Sequence, residues 1–231
     1  MKARAVIAAM TAVDPKGYGG WGGECPGCDL DKLKVGMWLL ERPHFEDIVV
    51  LYNERATWEA FSRAIRMQAA GLLPGDLLVI YRSGHGGRAL DISGDELDGY
   101  DETLCMWDRQ VLDDEMWELL CEAIPAGVRV ALITDACHSE TAWRGAPAVG
   151  FQKDDFRFKG RLLALSGCAD DMVSWGDGTN GGRFTKSLDE RLRKGMTWAQ
   201  WFEAAMKRMG KGQVPKLAEY GESFKEELAL G

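Results

Sequence analysis

Val128 to Thr134 (V-R-V-A-L-I-T) is a near-continuous apolar run rich in branched residues. A run of that length and composition reads as a strand buried on both faces, the signature of a parallel sheet covered by helices. It breaks into Asp135-Ala136-Cys137-His138-Ser139. In open α/β sheets, reacting and ligand-binding groups collect just past the carboxyl ends of the strands. Cys137 therefore stands where a nucleophile would stand. The rest of the chain has to supply its base, its oxyanion donors and its pocket.

The bulk numbers narrow the setting. The chain has 231 residues, 46% of them hydrophobic, enough for one sizeable core. Lys plus Arg is 28 and Asp plus Glu is 36, a net charge of −8. That balance argues against nucleic acid as a partner and suits basic peptides. The six cysteines are scattered and form no disulfide framework, which fits a reducing, cytoplasmic setting. Lys2 to Ala12 has the apolar core of a weak signal peptide, but the fold needs it as a strand. No apolar run reaches the roughly 20 residues of a membrane span.

In chain order, Ala3–Val13 reads as the first strand and Asp14–Pro26 as a long Gly-rich loop. Leu30–Glu41 reads as a helix with Leu33, Met37 and Leu40 on its apolar face. Asp47–Tyr52 is the second strand. Thr57 is an N-cap for a helix over Trp58–Ala70 that stops at Gly71. Asp76–Tyr81 is the third strand and runs into Arg82-Ser83-Gly84-His85-Gly86-Gly87. An acidic, Gly-containing segment (Asp91–Glu102) precedes a helix over Asp113–Ile124 and then the Val128 strand. Ala142–Lys159 is an unpatterned linker. Arg161–Leu165 is the fifth strand, Phe184–Arg193 and Trp198–Met209 are helices, and Val214–Tyr220 is a last short strand. Strands alternating with helices predict an α/β fold with a mostly parallel sheet of about six strands flanked by helices. We read one domain over 1–231, with a first half (1–141), a linker (142–160) and a second half (161–231). Of the nine tryptophans, Trp38, Trp58, Trp117 and Trp201 read as core, whereas Trp21 and Trp143 lie in loops near the expected cleft.

Two strands end in reactive residues, His85 and Cys137. If those strands are neighbours, imidazole and thiol share one sheet edge, and the imidazole can draw off the thiol proton and later protonate a leaving amine. The glycines around His85 free backbone N–H groups to face an oxyanion, and Gly86 and Cys137 are the expected donors. His138 is a rival base, but successive residues of an extended chain point to opposite faces. His44 reads as a surface residue. The same alternation puts Asp135 on the face of Cys137 and Ser83 on the face of His85. Cys28 and Asp31, three apart at the start of the first helix, line the same cavity in this reading. A zinc module built on Cys25-Pro26-Gly27-Cys28 lacks a second ligand pair.

At S-G-H-G and D-A-C-H-S the chain resembles the caspase-like cysteine peptidases, and the metacaspases in particular. Y-R-S-G-H-G-G (Tyr81–Gly87) is similar to the family's histidine motif. D-G-Y-D-E-T-L (Asp98–Leu104) and L-D-D-E-M (Leu112–Met116) are similar to its acidic segments. L-S-G-C-A-D-D (Leu165–Asp171), G-G-R-F-T (Gly181–Thr185) and Q-V-P-K-L (Gln213–Leu217) are similar to its small-subunit half. The resemblance implies a caspase-like fold, a His85–Cys137 dyad and cleavage after Arg or Lys, with an acidic pocket matching Cys28, Asp31, Ser83 and Asp135. It implies a calcium site matching Asp101, Asp113 and Asp114, although a fourth family aspartate is replaced here by Arg144; the chemistry itself requires no cofactor. It also implies self-cleavage in the linker, where Arg144, Lys153, Arg157 and Lys159 are available, and a monomer. A catalytically silent homologue that binds or regulates a partner is the alternative.

Overall fold

The computed structural model describes residues 1–90, 100–136, 157–167, 176–177, 180–209 and 214–230. Cys137, His138, Trp143, Arg144, Lys153, Cys168–Asp171 and Gln213 lie outside the described residues. The first part of the chain forms β1 (Ala3–Ala9), α1 (Cys28–Leu40), β2 (Phe45–Tyr52), α2 (Trp58–Ala69), β3 (Leu77–Ser83), β4 (Gly86–Leu90), β5 (Tyr100–Cys105), β6 (Gln110–Leu112), α3 (Asp113–Ala123) and β7 (Arg129–Asp135). The second part forms β8 (Arg161–Ser166), β9 (Gly176–Asp177), β10 (Gly181–Gly182), α4 (Arg183–Arg191), α5 (Trp198–Met209) and β11 (Lys216–Tyr220).

Among the described residues, six strands make the central sheet in the order β11-β8-β7-β3-β1-β2. All neighbours run parallel except β11, which is antiparallel to β8. The fold is therefore the expected α/β arrangement. Alternation along each strand divides the core in two. Val6, Ile80, Leu132 and Ala164 face one layer, with α2 and α3 packed on it. Ile7, Val79, Ile133 and Leu165 face the other, with α1, α4 and α5. Both faces are covered, which is why β3 and β7 are buried at every residue.

The second layer is held by tryptophan. Trp38 of α1 meets Trp201 of α5 edge-to-face with ring centroids 5.2 Å apart. Both indoles are satisfied: Trp201 Nε1 donates to the Leu188 carbonyl at 2.8 Å and Trp38 Nε1 to Asp189 at 2.7 Å. Thr57 caps α2, its hydroxyl accepting from the Ala60 N–H at 3.2 Å. Gly71 ends that helix at φ +77°, a conformation that suits glycine.

Two expectations are corrected. In α1, Leu33, Met37 and Leu40 face solvent, at 59%, 56% and 73% exposure. The buried stripe is Cys28, Asp31, Val35, Trp38 and Leu39. The helix inserts its polar N-terminal residues because the pocket they build lies underneath. An antiparallel three-stranded sheet, β4-β5-β6, which the sequence reading did not include, flanks the segment read as acidic and takes in its last residues, Tyr100–Glu102. Its strands are too short, and β4 too rich in glycine, for alternation to declare them.

Candidate active site

Ser83, the last residue of β3, lies opposite Asp135, the last residue of β7. The Gly84 N–H donates to the Asp135 carbonyl at 3.3 Å. The two strands that end in reactive residues are thus adjacent, as the histidine–cysteine argument requires. His85 follows at once and is half-buried. Its Nε2 lies 3.1 Å from the Glu24 carbonyl. A carbonyl only accepts, so Nε2 carries the proton and Nδ1 keeps its lone pair. The Trp21 ring covers the imidazole at 4.9 Å between centroids. Burial, with the Arg82 guanidinium nearby, holds the imidazole below its ordinary pKa, so it is neutral and basic at pH 7. Arg82 Nη2 donates to the carbonyls of His85 and Cys105, the latter at 2.7 Å, and so fixes the turn that carries the histidine.

Beside this turn, on the α1 and α4 face of the sheet, lies a cluster built on two buried acids. Asp31 is fully buried and Asp135 nearly so. The Ser83 hydroxyl donates to Asp31 Oδ2 at 2.8 Å, and the Gly182 N–H donates to the same carboxylate at 2.9 Å. Asp135 Oδ2 accepts from the backbone N–H and the hydroxyl of Thr185, each at 2.8 Å. The Tyr81 hydroxyl lies 2.6 Å from the Thr185 hydroxyl and completes the chain. Burial and then the neighbouring Asp135 charge push the Asp31 carboxyl up to about 7. Cys28 is buried in the first turn of α1, three residues before Asp31. The four pocket residues expected from the sequence are therefore brought to one place.

Gly86 opens β4 beside His85. Cys137 lies outside the described residues. Asp101 and Asp113 are buried, at the start of β5 and of α3, while Asp114 is exposed. Burial and the adjacent Asp114 raise the Asp113 carboxyl to about 8. The donors are of the hard-oxygen type that calcium takes. Among the described residues, however, no three His, Cys, Asp or Glu side chains converge closely enough to hold a metal ion. The set is not a ready-made cage. Of the linker cations, Arg157 is exposed and pairs with Glu118 at 2.5 Å, and Lys159 is exposed. His44 is half-buried, its Nε2 2.6 Å from the Leu230 carbonyl.

Several site residues escape the sequence argument. The Glu24 carbonyl, Arg82, Gly182 and Thr185 carry no chemical signature alone. Gly182 had one signal, the Gly-Gly pair entering a helix. A Cβ there would lie 2.1 Å from Asp135 Oδ2 and 3.0 Å from Asp31 Oδ2, so only glycine lets the chain close over both acids.

Comparison with known proteins gives the chain's family. A family model described as metacaspase, peptidase C14 domain, matches residues 17–144. Metacaspase-1 of Schizosaccharomyces pombe is 38% identical over 128 residues, covering 50% of this chain and 30% of that protein. Metacaspase-2 of Arabidopsis thaliana is 31% identical over 198 residues, covering 74% of this chain and 46% of that protein. The chain thus spans less than half the length of these curated relatives. A crystal structure of a Geobacter sulfurreducens protein superposes with a TM-score of 0.83 at 30% identity, covering 100% of this chain and 98% of that one. Caspase-1 of Spodoptera frugiperda superposes at 0.67 with 16% identity over 94% of this chain and 86% of that one, a likeness of fold. The chain belongs to the metacaspases, peptidase family C14.

Proposed function

We propose that this chain is a cysteine endopeptidase that cuts after Arg or Lys, with Cys137 as nucleophile and His85 as base and then acid. The observation that carries the specificity is the convergence of two buried carboxylates, Asp31 and Asp135, beside the histidine turn. A cationic side chain entering there would displace the proton that burial favours on Asp31 and pair with the two carboxylates, whereas an acidic side chain would add to their negative charge. Cys28 and Ser83 line the same pocket and hold Asp31 in place.

In the proposed reaction His85 Nδ1 takes the Cys137 thiol proton, and the sulfur attacks the scissile carbonyl carbon. The oxyanion so formed accepts from the Gly86 and Cys137 N–H groups. Collapse breaks the C–N bond as His85 returns its proton to the leaving nitrogen. Water, deprotonated by His85, then attacks the thioester and releases the acid and the thiol. The bond from Nε2–H to the Glu24 carbonyl stabilises the imidazolium at each stage. Calcium enters only as an effector to be tested, and self-cleavage in the linker as one use of the same specificity.

The test is hydrolysis of fluorogenic peptides with Arg, Lys or Asp at P1, with and without calcium, by the intact chain, Cys137→Ala and His85→Ala. Turnover of Arg and Lys peptides that both variants abolish is expected. Turnover of Asp peptides would overturn the pocket. Absence of turnover in every condition would favour the silent, partner-binding homologue.

A further inference from the structure

A pair of sulfurs lies against the same pocket and has no part in the proposed reaction. Cys25 and Cys28 flank Pro26-Gly27, and Gly27 turns the chain into α1 at φ +100°. The turn brings the two Sγ atoms to 3.3 Å, with the Cys28 thiol donating to Cys25. A disulfide has its sulfurs about 2.05 Å apart, so side-chain rotation of roughly 1 Å separates the pair from a bond. Access is asymmetric: Cys25 is half-exposed and Cys28 is buried.

A second observation points the same way. Arg82 is buried at 1% exposure, and among the described residues its Nε and Nη1 have no hydrogen-bond partner. The donated Cys28 S–H, and then the Arg82 guanidinium, hold the Cys25 thiol below its ordinary pKa. Donation to Cys25 and burial push Cys28 well up. One sulfur is thus the more accessible and more acidic thiol and the other a buried neighbour within reach, the division of labour of a redox-active pair.

We propose that Cys25 and Cys28 are a redox-active dithiol whose oxidation to a disulfide disables the acidic pocket. The oxidant is a hydroperoxide. The Cys25 thiolate attacks the terminal peroxide oxygen, an S–O bond forms and the O–O bond breaks, and the departing oxygen takes a proton. Cys28 then attacks the sulfenic sulfur, an S–S bond forms and the S–O bond breaks, and the hydroxyl leaves as water with the Cys28 proton. Two thiols are oxidised and one peroxide is reduced. A thiol reductant reverses the step by exchange. The consequence follows from position. Cys28 lies one turn before Asp31, and both touch Ser83. Glu24, whose carbonyl holds His85, is bonded to Cys25. Drawing the sulfurs together moves both supports. That consequence rests on the peptidase reading; the dithiol itself rests on the geometry alone.

The dithiol is tested on the full chain carrying Cys137→Ala, treated with hydrogen peroxide, alkylated and digested with trypsin. The peptide Gly17–Lys32 contains Cys25 and Cys28 and no other cysteine. It is expected to lose two hydrogens, resist alkylation, and regain both thiols with dithiothreitol. Two alkylated cysteines at peroxide concentrations that oxidise an ordinary exposed thiol would overturn the proposal. The pocket is tested by comparing peroxide inactivation of the unaltered chain with Cys25→Ser. The unaltered chain is expected to lose its Arg-peptide activity at doses about tenfold lower, recoverably with dithiothreitol. Equal sensitivity would overturn the link to the pocket, because Cys137 would then be the group oxidised. Should neither protein cleave any peptide, the preceding function falls, and the mass of Gly17–Lys32 still decides the dithiol.

Discussion

At the scale of single residues, the Asp31 carboxyl sets a pH dependence that can be worked out in sign. Its ordinary value is 3.8 and its value here is about 7. Below about pH 7 the acid is neutral and attracts a P1 cation less, so KM for Arg peptides should rise as pH falls from 8 to 6. Meanwhile kcat should follow His85, whose lowered pKa keeps it basic over most of that range. A KM that is flat in pH would sink the assignment of Asp31 to the pocket. Stability runs the other way. A carboxyl whose folded pKa is raised holds its proton more tightly when folded, so stability declines as pH rises from about 4 to 7. Asp31→Asn should therefore lower kcat/KM on Arg peptides by roughly 100-fold, about 3 kcal/mol. The same substitution should raise the thermal midpoint at pH 8. The acid pocket was legible at this scale because period-2 alternation needs only the strand ends: Ser83 and Asp135 fall on one face by counting. Arg82 was not legible, since its role is to bond the His85 and Cys105 carbonyls, and backbone acceptors have no residue type.

At the scale of elements, the junction of β10 and α4 decides whether the second part of the chain can close over the first. Gly182 has φ −63° and ψ 141°, which any residue adopts without strain. The requirement for glycine is entirely one of space, because a Cβ would overlap Asp135 Oδ2 at 2.1 Å. Gly182→Ala should cost about 2–4 kcal/mol by chemical denaturation and remove Arg-peptide activity. Gly36, in the middle of α1 with nothing within 4 Å of an added Cβ, is the control. Gly36→Ala should stabilise by about 0.5–1 kcal/mol, through helix propensity alone. Equal effects of the two substitutions would show that crowding at the acid pair is not what fixes the junction. Strands buried on both faces declared themselves as apolar runs, and Thr57 and Gly71 marked α2 correctly. The α1 face was misread because hydrophobicity chose Leu33, Met37 and Leu40, whereas packing chose the side bearing Cys28, Asp31 and Trp38. A helix that puts a carboxylate into the core for function defeats a pattern that ranks residues by apolarity.

At the scale of the whole molecule, the site belongs to both parts of the chain. Asp31, Ser83, His85 and Asp135 precede β8, whereas Gly182 and Thr185 follow it, and the acids are held only when the two parts are together. The closure by Gly182 and Thr185 depends on the sheet order, which no local pattern encodes. Cohesion between the parts is extensive. β8 adds to β7 over six paired positions, and α4 and α5 pack with α1 in the tryptophan layer. Arg129 of β7 and Arg161 of β8 share Glu227, at 2.5 and 2.7 Å. A break in the connection between β7 and β8 removes none of these contacts. Arg157, exposed and paired with Glu118, offers a place to make one. Brief trypsin treatment should give two fragments on a denaturing gel that elute together on native size exclusion, with Arg-peptide activity retained, and that separate only in denaturant. Native elution as two species would show that the covalent connection, rather than the shared sheet and tryptophan layer, holds the acidic pocket closed.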